Sequence, residues 1–535
     1  MKGFEMIRKV FIFLFSLVLF MSLSGCDDAK RVSIAENKEL VYAMADDVNN
    51  MNPHLYVGSM SAQGIVFESL IKNTDDGFKP LLAESWEISN NGKVYTFHLR
   101  KGVKFHDGEP FDAKAVKENI DVVQRNAKVH TGTKLSTKIE SVEILDSNTV
   151  ELHLSEAYYP VLHELSLIRP YAFISPKNFV NGETRDGVNG YSGTGPYRLA
   201  EHKADQFTVF EANEDYWGGK PKIAKITAKV LPSGETTFMA MKKGEVNFIF
   251  TGALDMESID ADAMNRLSES GDYAVYSSEP AYTKVIIANS GRVNGPVHEK
   301  AVRLAIWHGI DRQTISNEIY RKAEPPAETF FSPNVEYADI ALKRRAFDLS
   351  AARKILEQAG WKLNGGKIRY KNGKRLSMTL YYDTNSPHQK LEAEFIQNAL
   401  GKAGIELKLI GELSGSLFNR WSKGDYDLLF KETWGHAYDP QSTVSNFSSG
   451  LFYSHAIKGI AQADELYDKA NRVIFEMDEK ERRKLYADIL EIVHEEALFI
   501  PVTYGNVTIV APRNLKGIAL KQALYEIQFE KMYFK

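Results

Sequence analysis

The chain has 535 residues, 66 Lys+Arg against 70 Asp+Glu, a formal net charge of −4 and 44% hydrophobic residues. With no excess of basic residues to neutralise a phosphate backbone, nucleic acid is not expected as a partner. One cysteine in the whole sequence leaves no disulfide framework and no thiolate metal site, so any metal must be held by His, carboxylate or a chelator.

Lys2, Arg8 and Lys9 precede an apolar run over residues 10–23 that ends at Leu23-Ser24-Gly25-Cys26. An apolar run of about 14 residues behind a basic start is too short to span a bilayer and reads as a signal peptide. Residues 1–25 are therefore expected to be removed. Cys26 then becomes N-terminal, the place a lipid acceptor thiol must occupy, and residues 26–37 form a polar tether. This predicts a periplasmic or cell-surface protein held to a membrane through its lipid alone. The roughly 500 residues that remain exceed what one hydrophobic core supports, so two or more lobes are expected.

In the first half, residues 94–99 alternate as a half-buried strand between Gly92 and Gly102, and residues 142–154 read as a hairpin turning at Asp146-Ser147-Asn148. His106-Asp107-Gly108 reads as a turn, since adjacent residues on a strand face opposite sides. The second half alternates helices with short apolar strands. Asp348 caps a helix that stops at Gly360; residues 377–382, 391–403 and 405–410 form a βαβ unit with a parallel sheet; 426–430 is a further strand and 479–496 a helix. The fold class is α/β.

If strand 426–430 is parallel to its neighbour, the loop Trp434-Gly435-His436-Ala437-Tyr438-Asp439-Pro440 lies at the carboxyl edge of the sheet, where open α/β folds bind ligands. Trp434 and Tyr438 are suited to walling a pocket there, while His436 reads first as a solvated loop residue. No Gly-x-Ser-x-Gly elbow and no His-Glu-x-x-His helix occurs, so no enzyme activity is expected.

Several strings together resemble the peptide/nickel family (family 5) of ABC-transporter solute-binding proteins. They are Leu82-Ala83-Glu84-Ser85-Trp86, the segments at 95–99 and 102–111, Gly193-Thr194-Gly195-Pro196-Tyr197, 213–217, Lys243-Gly244-Glu245, 302–312 and Ala359-Gly360-Trp361, collinear over most of the mature chain. The resemblance implies a two-lobed periplasmic-binding-protein type II (cluster C) fold. Its first lobe comprises 38–77, 197–283 and 501–535, a subdomain at 78–196 is inserted in it, and the second lobe is 284–500. It also implies capture of a solute for ABC permease subunits, by a monomer with no catalytic cofactor.

Peptide-binding members carry an acid three positions after the loop tryptophan; this chain has Ala437. A peptide ammonium buried there without a carboxylate is disfavoured by several kcal/mol. The string 434–440 resembles the nickel-binding branch instead, as do Asn52-Pro53-His54-Leu55-Tyr56 with Met60, Tyr158-Tyr159-Pro160 leading to Arg169, and Ser454-His455-Ala456. The implied cargo is Ni(II) in a small carboxylate or histidine chelate. Tyr56, Met60, Trp434, Tyr438 and Tyr525 would wall it, Arg169 would grip a chelator carboxylate and His455 would ligate the metal. His436 and His130 are further candidates, His130 as a second imidazole or as a surface residue. A dipeptide, an oligopeptide or another metallophore is the alternative cargo.

Overall fold

The computed structural model describes residues 39–535 apart from 75, 131–132, 253–258, 436–438 and 521–525. The chain enters through strand β1 (Leu40–Met44) and the short helix α1 (Met60–Val66), whose cap Ser59 accepts from Ala62 N. The next stretch builds a sheet of its own. Strands β2 (Ala83–Ser89) and β3 (Val94–Leu99), helix α2 (Ala113–Arg125), then β4 (Ile139–Asp146) and β5 (Thr149–Leu154) give an antiparallel sheet in the order β2-β3-β5-β4. Alternation along β3 puts Tyr95, Phe97 and Leu99 inside. The expected hairpin turn is present, with Asn148 N donating to Asp146 Oδ1 at 2.7 Å. So is the turn at His106-Asp107-Gly108, where Gly108 has a φ of 86° and His106 Nε2 donates to Gly195 O.

A larger sheet runs through both halves of the chain. After β1 its strands are β6 (Tyr197–Lys203), β7 (Phe207–Ala212), β8 (Lys225–Val230), β9 (Phe248–Phe250) and the long β10 (Tyr273–Ala288). The second half adds helix α3 (Leu349–Gln358), β11 (Ser377–Asp383), α4 (Pro387–Ala403), β12 (Glu406–Glu412), α5 (Ser414–Lys423), β13 (Leu428–Glu432), α6 (Glu479–Glu495) and β14 (Phe499–Pro512). The order is β6-β7-β8-β1-β9-β14-β10-β13-β11-β12, ten strands in all. β1 is parallel to β8 and β9, and β11 is parallel to β12 and β13, so each half has its own parallel carboxyl edge.

The expected βαβ unit is in place, with Ser377 paired to Glu406 and Asp348 capping α3 through bonds to Ser350 N and Ala351 N. Two boundaries differ from expectation. Helix α4 starts at Pro387 rather than 391, because Ser386 caps it and proline is suited to the first turn. Strand β13 starts at Leu428 rather than 426, because Gly424 O and Tyr426 O accept from Asn289 Nδ2 and the Asp427 carboxylate accepts from Thr379 N. Those groups are thereby withdrawn from the ladder.

Among the described residues, only β10 and β14 cross the middle of the large sheet. They pair with each other from Tyr273–Pro512 to Ile287–Phe499, with register slips at Ser277/Pro280, Pro280/Tyr282 and Lys284/Val285. Such bulges concentrate twist and bending. A buried ion pair sits among them: Lys284 Nζ lies 2.9 Å from Glu324 Oε1, and Thr503 Oγ1, opposite Lys284 on β14, donates to Glu324 Oε2 at 2.7 Å. The small sheet rests on the second half's helices, where Tyr159 N donates to Ile474 O at 2.9 Å and the Arg482 guanidinium lies 3.6 Å over the Tyr159 ring.

Candidate ligand-binding site

Between the two parallel edges lies a cleft of about 470 Å³, walled by Ala45, Asp46 and Pro232 after β1 and β8, and by Asp383, Phe418 and Glu432 at the ends of β11, α5 and β13. This is where strand ends leave backbone and loop groups for a ligand.

The residues expected from the sequence in the first half gather on the turn before α1. Gly58 has a φ of +78°, and a Cβ there would meet Asn50 O at 1.8 Å, so only glycine closes the turn. Gln63, fully buried, donates from Nε2 to Asn50 O, Asn52 O and Val57 O at 3.2 Å each, and its Oε1 accepts from Arg169 Nε at 2.6 Å. Arg169 Nη2 donates to Gly58 O. The guanidinium, 7% exposed, is thus fixed beneath the turn that carries Tyr56 and Met60. Met60 opens α1 and lines a cavity of about 130 Å³ with Glu68, Ile168 and Tyr216.

Tyr56 packs on His130 at a ring-centroid distance of 5.6 Å. The residue is 39% exposed, and burial around its hydroxyl raises the phenol pKa. That hydroxyl reaches only Thr133 Oγ1, at 3.5 Å. His130 is 2% exposed and neither ring nitrogen has a hydrogen-bond partner; burial pushes its pKa down to about 4. His54 lies close enough for the two imidazoles to disfavour each other's charge, and burial first, then His130, lowers its pKa to about 3. Its Nδ1 is 3.1 Å from Thr184 Oγ1, and its Nε2 has no partner. Glu164 anchors the neighbouring segment by accepting from Lys134 N, Leu135 N and the Tyr158 hydroxyl; burial raises its pKa to about 7 against those donors.

The second-half wall is the loop after β13. Thr433 N donates to Thr283 O at 2.9 Å, and the Asp439 carboxylate accepts from Gly435 N at 2.7 Å and from Thr443 Oγ1 at 2.5 Å. This staple sets Trp434, 38% exposed, at the carboxyl edge, as its place after a parallel strand predicts. Burial pushes the Asp439 pKa up to about 7. His436 and Tyr438 in this loop, Tyr525 near the C-terminus and Cys26 all lie outside the described residues.

The sequence model described as "Bacterial extracellular solute-binding proteins, family 5 Middle" matches residues 77–454. The chain belongs to this family. It is 36% identical over 509 residues to the nickel-binding periplasmic protein of Escherichia coli, covering 94% of this chain and 95% of that protein. Identity to the E. coli dipeptide-binding protein is 24%, over 90% and 92% of the two chains. Among solved structures, NikA from Brucella suis in complex with Fe(III)-EDTA superposes with a TM-score of 0.89 at 38% identity, covering 93% of this chain and all of that one. The architecture is therefore the two-lobed type II fold of the family 5 binding proteins, and the cleft is its interlobe cleft.

His455, expected from the resemblance to ligate the metal, makes contacts of its own with α5. His455 stands beyond the Leu428 end of β13, where its carbonyl accepts from Gly291 N, whereas Trp434 follows the Glu432 end. Four strand steps, about 13 Å, separate those ends. His455 Nε2 donates to Ser422 O at 2.9 Å, and Gly424 lies so close that a Cβ there would sit 2.6 Å from His455 Nδ1. Nε2 is taken by Ser422 O, and Nδ1 is buried without a partner. The alignment of Ser454-His455-Ala456 matched three residues without the helix α5 and Gly424 that enclose them. Among the described residues one trio of possible metal ligands falls within 4.8 Å, Glu143, Glu151 and His153, and it lies on the outer face of the small sheet. Sequence reasoning missed Gln63, which organises the turn before α1, and Asp439 as the staple of the loop after β13. The Asp-Pro at the end of the loop was the only signal for the latter.

Proposed function

We propose that this family 5 protein is an extracytoplasmic lipoprotein of an ABC importer that captures nickel as a small-chelator complex in its interlobe cleft and delivers it to the permease. The observation that carries this reading is the near-full-length likeness to a protein named for nickel binding and to one solved with a metal chelate. Both stand at 36–38% identity, against 24% for the dipeptide binder. Ala437 in place of an acid supports the same cargo, since it leaves a peptide ammonium without a partner at that point of the loop.

Capture follows from the architecture. The first lobe (38–77, 197–283 and 501–535, with 78–196 inserted) and the second (284–500) are joined through β10 and β14, whose bulges serve as the hinge. Closure brings Trp434 toward the wall of Tyr56 and Arg169 and expels water, which strengthens a guanidinium–carboxylate contact. Arg169 acts on the chelator and not on the metal. No covalent step and no catalytic cofactor is involved. Residues 1–25 are the signal peptide and Cys26 carries the lipid, which holds the protein to a membrane in the periplasm or at the cell surface, where it docks one face of each lobe on the permease as a monomer.

Calorimetry on apo-protein tests the cargo. Nickel with a butane-tricarboxylate chelator, nickel with histidine, and a panel of dipeptides are titrated side by side. Binding of at least one nickel chelate without dipeptide binding is expected; the reverse pattern overturns the reading. Metabolic labelling with a radiolabelled fatty acid tests the anchor, and Cys26→Ser must lose the label.

A further inference from the structure

Beneath Tyr56 lies an imidazole with nothing to bond. His130 is 2% exposed and both of its ring nitrogens are buried without a partner. A buried polar group left unsatisfied costs about 1–3 kcal/mol, and native interiors seldom keep one without reason. Here the cost falls among the residues gathered beside Tyr56. Burial keeps the ring neutral, the form whose lone pair binds metals. The neighbouring His54 is fixed by Thr184 and does not use the His130 nitrogens.

The cover over His130 is Tyr56, and it is lightly held. The ring packs at 5.6 Å with a 49° tilt, and its hydroxyl is 3.5 Å from Thr133 Oγ1, at the outer limit of a hydrogen bond. Turning one partly exposed aromatic side chain is a small motion. It would open a neutral imidazole on one side of Tyr56, whose charged neighbours include Arg169, a set suited to a metal chelate that presents carboxylates and an open coordination position.

We propose that His130 is the protein's own ligand to the metal of the bound chelate, reached when the incoming ligand displaces the Tyr56 ring. A water on the metal's open position leaves, and one His130 ring nitrogen takes its place through its lone pair; no proton is released, because the ring is already neutral. The inference rests on the proposed nickel-chelate function and names the residue that completes the coordination.

The test uses mature protein carrying Glu143→Gln and Glu151→Gln, which disables the surface trio as a competing metal site. Nickel is supplied with butane-tricarboxylate, which contains no imidazole, so any imidazole signal at the nickel X-ray absorption edge comes from the protein. The expected result is one imidazole in this background and with His455→Gln added, and none with His130→Gln. Affinity should fall by at least the roughly 10- to 100-fold that follows loss of a group merely supporting a metal-bound imidazole. Tyr56→Ala, which removes the cover and leaves His130, must keep the imidazole signal, so the outcome does not depend on the His130 variant folding. If nickel chelate binds but shows no protein imidazole, or if His130→Gln binds with unchanged affinity, this inference fails while the nickel reading stands. If no nickel chelate binds at all, both fail.

Discussion

Gly435 N donates to Asp439 Oδ2 at 2.7 Å and so closes the base of the loop that presents Trp434 to the cleft. The same carboxylate holds the Thr443 hydroxyl, which ties the loop to the helix turn behind it. Asp439→Ala strips both donors of their acceptor inside the protein, at about 1–3 kcal/mol each. Urea unfolding should show a loss of about 2–5 kcal/mol, and the variant should bind chelate more weakly because Trp434 is no longer held. A loss below 1 kcal/mol would mean that the loop is set by other contacts.

Asp439 also gives the stability a pH dependence. Its native pKa is raised to about 7 by burial, whereas the unfolded chain has an ordinary aspartate near about 4. The folded state therefore holds the proton more tightly. Its contribution is fully present below about pH 4 and is lost as pH rises through about 7. Glu68 and Glu164, also raised to about 7 by burial, act in the same direction. Thermal melts between pH 4 and 8 should show a downward trend that Asp439→Asn, Glu68→Gln and Glu164→Gln each make shallower. An unchanged slope in all three contradicts the assignment.

Arg169 spans Gln63 Oε1 and Gly58 O with two different nitrogens, an arrangement that a single ammonium cannot copy. Arg169→Lys should therefore behave nearly like Arg169→Ala. Both should lose stability by about 2–4 kcal/mol, measured by denaturant unfolding, and both should lose affinity for chelates with free carboxylates more than for nickel–histidine. Wild-type affinity in Arg169→Lys would remove Arg169 from the site.

The hinge carries a pair whose two ends depend on each other. Lys284 and Glu324, with side chains each 10% exposed, face one another between β10 and the segment beside β14. Removing one partner leaves a buried charge uncompensated, at about 3–5 kcal/mol, while replacing both by apolar residues of similar size is often neutral. Lys284→Met should be strongly destabilising in equilibrium unfolding and Lys284→Met/Glu324→Leu largely restored. Equal losses in the single and double variants would show that no such coupling exists.

Much of this architecture is legible in the sequence, because its signals are local. Alternation at 94–99, the cap at Asp348 and the helix between strands 377–383 and 406–412 are written in residue order, and the structure follows them to within a few positions. The same logic puts Trp434 after the carboxyl end of β13, since a parallel strand dictates which end its loop occupies. His455 illustrates the opposite case. A three-residue match carried no information about Ser422 O or Gly424, which approach it from another helix and enclose both nitrogens. His130 is a candidate from sequence, but its burial beside His54 is not legible there. Their unsatisfied nitrogens appear only when residues 54, 130 and 184 meet in space.

The role of His455 is itself measurable. His455→Gln should leave nickel-chelate affinity within twofold by calorimetry, about 0.4 kcal/mol or less, because its Nε2 is already taken by Ser422 O. A loss of tenfold or more would mean that the loop carrying His455 swings around to the ligand on binding, in an arrangement different from this structure.

The central claim concerns the cargo, and native mass spectrometry of the mature protein, purified from nickel-supplemented cells without added ligand, tests it most directly. The account predicts a bound mass equal to one nickel ion plus a small chelator, released on acidification. A protein carrying a peptide mass and no nickel would contradict it.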